Sequence, residues 1–137
     1  MKHIILAVLM LSAITVASQS IEGVWKTYDD DGKDKSLVKI EIRDGKLYGT
    51  IIKLFEADGD SKKCEDCPGT FNGKKIVGLQ IINGLTKKGN EWLGDKSLFD
   101  PKGKKEYNAK IWLENDKLKV RGYIGFLYST QEWTREK

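Results

Sequence analysis

The sequence predicts an all-β fold: one eight-stranded, antiparallel, up-and-down barrel. Short runs rich in Ile, Val, Leu, Tyr and Trp recur about every ten residues, parted by Gly, Asp, Asn and Lys turns, as in sandwiches and barrels. Two of those turns are hairpin dipeptides between strands that alternate apolar and polar in a consistent register. Beyond the N-terminus, no stretch holds a convincing helical period.

The N-terminus reads as a targeting segment. Lys2 and His3 precede an apolar run, Ile4 to Leu11, extended by Ala13, Ile14, Val16 and Ala17. This is the three-part pattern of a secretory signal over residues 1–18, with cleavage expected within about 17–20. The core falls short of the ~20 apolar residues a spanning helix needs, and no cysteine marks a lipid-attachment site. The mature chain is then a single domain over 21–137, periplasmic or secreted. No other apolar stretch reaches membrane length, so no integral-membrane role is expected.

The strands are expected at about 22–28, 36–43, 46–55, 76–85, 91–98, 106–114, 117–124 and 129–136, with room for a short helix within 56–75. Asp44-Gly45 joins the second to the third. Asp-Gly suits a type I′ turn, which needs positive φ at both central residues. Arg43 then faces Lys46, Ile42 pairs with Leu47, Ile40 with Gly49 and Val38 with Ile51. Lys39, Glu41, Arg43, Tyr48 and Thr50 fall on the other face, because the side-chain period is two.

Asn115-Asp116 behaves likewise. It sets Leu113 against Leu118, Ile111 against Val120, Ala109 against Gly122 and Tyr107 against Ile124. Lys110, Trp112, Lys119 and Arg121 stay outside, with Trp112 covered by the Lys119 stem. One wet face and one buried face, repeated in both hairpins, suit a sheet closed on itself, which has no exposed edges.

The interior of such a barrel either fills with side chains or holds one small ligand. Gly49, Ala109 and Gly122, with Gly78 a further candidate, either leave volume there or relieve strand curvature. If they leave volume, Val38, Ile40, Ile51, Ile111 and Val120 form a mostly apolar lining, and Tyr107 points inward. A buried tyrosine hydroxyl wants a partner, which Gln80, Gln131 or a ligand would supply.

Other chemistry is hard to build. The single histidine, His3, lies in the leader, which removes His-based catalysis and His-bound metal. The two cysteines, Cys64 and Cys67, are too few ligands for zinc. Glu65 and Asp66 between them oppose a reactive thiolate, and no βαβ pattern surrounds them. In an exported chain the pair reads as a disulfide that stiffens a loop. Asp29-Asp30-Asp31 lacks the EF-hand frame, since Thr27 and Val38 fall where carboxylates are required. Asp58-Gly59-Asp60 lacks it too, and Asp100-Pro101 reads as a β-turn. The formal charge of +4 comes from lysines interleaved with acids rather than a basic stripe, so nucleic acid is not an expected partner. No carboxylate pair shows a spacing suited to acid–base work.

Gly23-x-Trp25 opening the first strand resembles the signature of lipocalins and the wider calycins. There the tryptophan closes one barrel end beneath a basic residue from the last strand. Here "QEWTR" offers Trp133 and Arg135, and Arg over a Trp face is attractive by ~0.5–2 kcal/mol. More specifically, "GVWKTYDDDGK", "IRDGKLYGTI", "CEDC", "IVGLQIINGL", "FDPKGKKEYNAKIWL", "LKVRGYIG" and "TQEWTR" occur in this order. Together they resemble the exported bacterial family called domain of unknown function 2147. That resemblance covers essentially the whole mature chain. It implies a lipocalin-like barrel, export in mostly Gram-negative bacteria and no assigned biochemical role. Two departures bear on loop shape: Trp92 to Leu98 holds one glycine where relatives carry a Gly-Gly-x-Ile-like stretch, and Ser129-Thr130-Gln131 forms a compact loop.

The expected function is non-enzymatic, cofactor-free binding of a small apolar ligand of the lipid or fatty-acid class. The alternative is a filled barrel whose loops bind an envelope protein or a glycan. Interior volume separates the two.

Overall fold

The structure is a computed structural model and describes residues 20–137. The leader expected over 1–18 lies outside the described residues. Eight antiparallel strands run in chain order: β1 (Gly23–Tyr28), β2 (Asp34–Arg43), β3 (Lys46–Leu54), β4 (Gln80–Lys88), β5 (Glu91–Asp100), β6 (Lys105–Glu114), β7 (Lys117–Ile124) and β8 (Leu127–Arg135). Each pairs with the next, and β8 returns to β1 to close the barrel.

Both predicted hairpins have the expected register. Asp44 and Gly45 take φ of 51° and 75°, and Arg43↔Lys46, Ile42↔Leu47, Ile40↔Gly49 and Val38↔Ile51 pair. Asn115 and Asp116 take φ of 51° and 60°, and Leu113↔Leu118, Ile111↔Val120 and Ala109↔Gly122 pair. The β6–β7 ladder ends at Asn108↔Tyr123, so the expected pairing of Tyr107 with Ile124 does not form.

Two expectations about element bounds are corrected. The fourth strand is β4 at Gln80–Lys88, later than the expected 76–85. Gly78 takes φ of 99° and donates to the Ile51 carbonyl, while Leu79 donates back to Ile76, so 76–79 turns instead of extending. Ser129, Thr130 and Gln131 are not a loop but part of β8, paired with Gly122, Arg121 and Val120. The turn before them is Gly125-Phe126, with Gly125 at φ of 59°. Trp112 lies directly opposite Lys119, as expected, and the Arg121 guanidinium carbon also lies over its ring, 4.9 Å from the centroid. The Lys119 ammonium pairs with Glu132 on β8.

The barrel has two unlike halves. The end carrying the 44–45 and 115–116 turns is packed solid around Trp25, Val38, Ile40, Leu47, Ile111 and Leu118, each at most 1% exposed. The expected volume at Gly49 is absent, since a Cβ there would lie 2.8 Å from Ile82 Cδ1 and 3.0 Å from Ile40 Cδ1. Gly78 is exposed outside the strands and contributes no interior space. Turns 29–33, 101–104 and 125–126 gather at the other end, with the long 55–79 connection.

Closure depends on Arg135. In register, β1 meets β8 only at Trp25↔Arg135 and Lys26↔Thr134. The Arg135 guanidinium carbon sits 4.3 Å from the Trp25 ring centroid. Its Nη1 and Nη2 donate to the carbonyls of Glu22 (3.1 Å) and Ser20 (2.9 Å). Trp25 Nε1 donates to the Ile21 carbonyl at 3.0 Å, so the buried indole is satisfied. The Trp–Arg lock read from the sequence is formed between Trp25 and Arg135. Trp133 is not part of it and lies at the floor of the open half.

Candidate functional site

The open half encloses a cavity of about 1050 Å³. Its apolar surface comes from the middle and upper parts of the strands: Ile51 and Leu54 of β3, Phe99 of β5, Val120 of β7 and Trp133 of β8. These side chains reach one space because alternate residues of every strand face inward. Gly122 widens the cavity. A Cβ there would lie in ordinary van der Waals contact with Tyr107 (3.4 Å) and Leu98 Cδ2 (3.5 Å), so a methyl group fits without strain.

Polar groups make up a large share of the lining and gather toward the mouth. Thr27 and Ser36 hydroxyls bond to each other at 2.5 Å and satisfy one another while buried. Gln131 Oε1 accepts from Trp133 Nε1 at 3.1 Å, which satisfies the indole N–H. Tyr107 and Ser129 also face the space. Neither glutamine expected to hold the Tyr107 hydroxyl does so. Gln80 is engaged elsewhere by Arg43 (2.9 Å) and Asn83 (2.5 Å), and Gln131 by Trp133. Among the described residues no hydrogen bond to the Tyr107 hydroxyl forms, and that group is left to water or a ligand.

The six residues expected to line the interior are thus divided. Ile51, Tyr107 and Val120 line the cavity. Val38, Ile40 and Ile111 belong to the packed half, which corrects the lining read from alternation alone. Alternation tells which face is inward but not how far up the barrel the packing ends. Phe99 and Trp133 were missed as lining residues. Trp133 was legible from the β7–β8 register, which aligns Leu118↔Trp133, but only once Gly125-Phe126 is recognised as the turn.

The mouth is ringed by charge of both signs. Lys35, Lys63, Lys102 and Lys104 border it beside Asp34, Glu56 and Asp58. Several acids are already committed. Asp29 Oδ1 accepts from the backbone N–H of Asp31 and Lys33, both at 2.9 Å, so this acidic turn spends its carboxylate on its own backbone. Asp100 Oδ1 does the same for Lys102 N–H at 3.0 Å in the Asp100-Pro101 turn. Asp34 pairs with Lys26 at 3.4 Å, and Glu56 with Lys62 at 3.0 Å.

The 55–79 connection covers part of the mouth. Cys64 and Cys67 lie at disulfide distance, with Cα atoms 5.8 Å apart, and both are buried. Cys64 N–H donates to Lys74 O (2.7 Å), Gly73 to Cys64 O (2.8 Å) and Ile76 to Lys62 O (2.9 Å). Strands of chain on either side of the cysteines are thereby zipped into a small flap. A one-turn 3-10 helix at Gly69–Phe71 seats Phe71 on Phe99, rings parallel within 3° and centroids 4.0 Å apart. The flap is therefore bonded through its own backbone and anchored on the cavity wall.

The protein family described as "Uncharacterized protein conserved in bacteria (DUF2147)" matches residues 23–135. The chain belongs to this family. It is the family expected from the residues, and its match runs from Gly23 at the start of β1 to Arg135 at the end of β8. The fold of this DUF2147 member is similar to that of a solved structure titled "Protein HP1028 from the human pathogen Helicobacter pylori belongs to the lipocalin family". The TM-score is 0.72 at 19% sequence identity, over 88% of this chain and 85% of that one. At that identity the likeness speaks for a lipocalin-type barrel. No curated protein matches the chain.

Proposed function

We propose that this protein is an exported, non-enzymatic binding protein that holds a small apolar ligand, of the lipid or fatty-acid class, in the open half of the barrel. The observation that carries the reading is the cavity of about 1050 Å³, apolar at its floor and open at one end. Ligand sites typically enclose ~300–1,000 Å³, and this one reaches the top of that range, with an apolar floor beneath a polar mouth. Burial against Ile51, Phe99, Val120 and Trp133 supplies affinity. Tyr107, with its free hydroxyl, orients the polar end of the ligand near the mouth. The bonded, buried cysteine pair and the leader pattern support a periplasmic or extracellular site of action.

The test is native mass spectrometry of the protein purified from its own compartment, followed by organic extraction and titration with an apolar dye. A reproducible extracted lipid, and dye uptake that falls when Gly122→Leu fills the cavity, are expected. A clean unliganded mass with no dye uptake would sink the reading.

A further inference from the structure

The β7–β8 hairpin carries an exposed feature that the cavity does not use. Its tip holds Ile124, Phe126, Leu127 and Tyr128, exposed by 54%, 90%, 67% and 60%. β8 meets β1 in register only at Thr134 and Arg135, so the Leu127 end of the hairpin stands clear of the closing seam. Isolated exposed apolar residues are ordinary, but contiguous ones at a projecting tip mark a contact surface.

The chemistry is graded along the hairpin. Ile124, Phe126 and Leu127 form the extremity, and Tyr123 pairs with Tyr128 just behind, rings 5.7 Å apart. Next comes Arg121, opposite Thr130, its guanidinium carbon 4.3 Å from the Tyr128 ring centroid. At ~3.3 Å per residue the tyrosines lie roughly 7–10 Å behind the tip and Arg121 about 16 Å behind. The neighbouring turn between β5 and β6 adds Lys102, Lys104 and Lys105, all exposed, against Asp100 and Glu106. Apolar tip, then tyrosines, then cations matches the depth profile of a bilayer interface, where apolar groups sink ~5–10 Å, aromatic rings sit at headgroup level and basic groups meet phosphate.

We propose that the β7–β8 tip docks on the surface of a bilayer carrying anionic headgroups, with Phe126 and Leu127 inserted and the Lys102–Lys105 turn facing the phosphates. The cavity mouth, bordered by Ser129, Gln131 and Lys102, then opens toward the same surface. The proposal concerns the tip and stands apart from what the cavity holds.

Vesicle flotation tests it, using phosphatidylglycerol–phosphatidylethanolamine vesicles and phosphatidylcholine vesicles. Binding to the anionic vesicles is expected, weakened by salt. Phe126→Asp with Leu127→Asp is expected to lower it about tenfold or more, while Ile52→Asp on the opposite wall leaves it unchanged. Both variants replace exposed residues, so unfolding transitions and apolar-dye uptake stay as in the parent. Three results would overturn it: no binding to either vesicle, equal binding by the tip variant, or a concentration-dependent dimer that the tip variant abolishes. The last would make the tip a contact between copies of this chain.

Discussion

Replacing Arg135 with alanine tests how the barrel is closed. The substitution removes two charge-assisted hydrogen bonds, to Glu22 O at 3.1 Å and Ser20 O at 2.9 Å, and the guanidinium 4.3 Å from the Trp25 ring centroid. Hydrogen bonds to charged groups contribute ~1.5–3 kcal/mol each and a cation–π contact ~0.5–2 kcal/mol. The Arg135 side chain is 28% exposed, so water replaces part of each interaction and the low ends apply. The ion pair to Asp116, 3.4 Å away on an exposed partner, adds little. The expected loss is about 2–4 kcal/mol, or roughly 10 °C in Tm for a domain of this size. Arg135→Lys keeps a charge over the ring but loses the fork that reaches both carbonyls, so about half that loss is expected. Urea and thermal unfolding give the numbers, and acrylamide quenching reports whether Trp25 becomes accessible. If both variants unfold within ~0.5 kcal/mol of the parent, the seam is held by something other than this lock, and the reasoning fails.

Three further outcomes are expected. Gly49→Val should cost about 1–3 kcal/mol in chemical denaturation, because its Cβ would meet Ile82 Cδ1 at 2.8 Å in a filled interior; a neutral result would mean the lower half has slack. Removing the disulfide with Cys64→Ser and Cys67→Ser should cost about 2 kcal/mol or less, since so small a loop loses little entropy, and should raise amide exchange in the flap while β-sheet circular dichroism is kept. Glu132 is held below the usual carboxylate range by hydrogen bonds from Lys119 and Lys117, so its contribution is present above the ordinary glutamate pKa and lost as pH falls through the depressed folded value. Glu132→Gln should therefore flatten the acid limb of the stability–pH curve, and an unchanged limb would show that the pair contributes nothing there.

Much of the barrel was legible because its determinants are local. Asp44-Gly45 and Asn115-Asp116 dictate turns through positive φ, and a two-residue turn propagates one register along both strands. β4 was misplaced because Val77-Gly78-Leu79 has strand composition, while the φ of 99° at Gly78 goes with its bond to Ile51 on the neighbouring strand β3. β8 was cut short because Gly125-Phe126, whose leading glycine at φ of 59° suits a two-residue type II′ turn, was not read as the hairpin turn.

By itself, the sequence determined the strand alternation and the two hairpin registers. These rest on backbone preference and on a side-chain period of two, which neighbours in the chain settle. Only the tertiary structure decided where the packing stops. Ile40 and Ile111 share their inward face with Ile51 and Val120, yet the first two meet the bulk of Trp25, Leu47 and Ile82 while the others border empty volume. That difference depends on how side chains from all eight strands fill each level of the barrel, a sum over residues far apart in the chain that no single strand pattern contains.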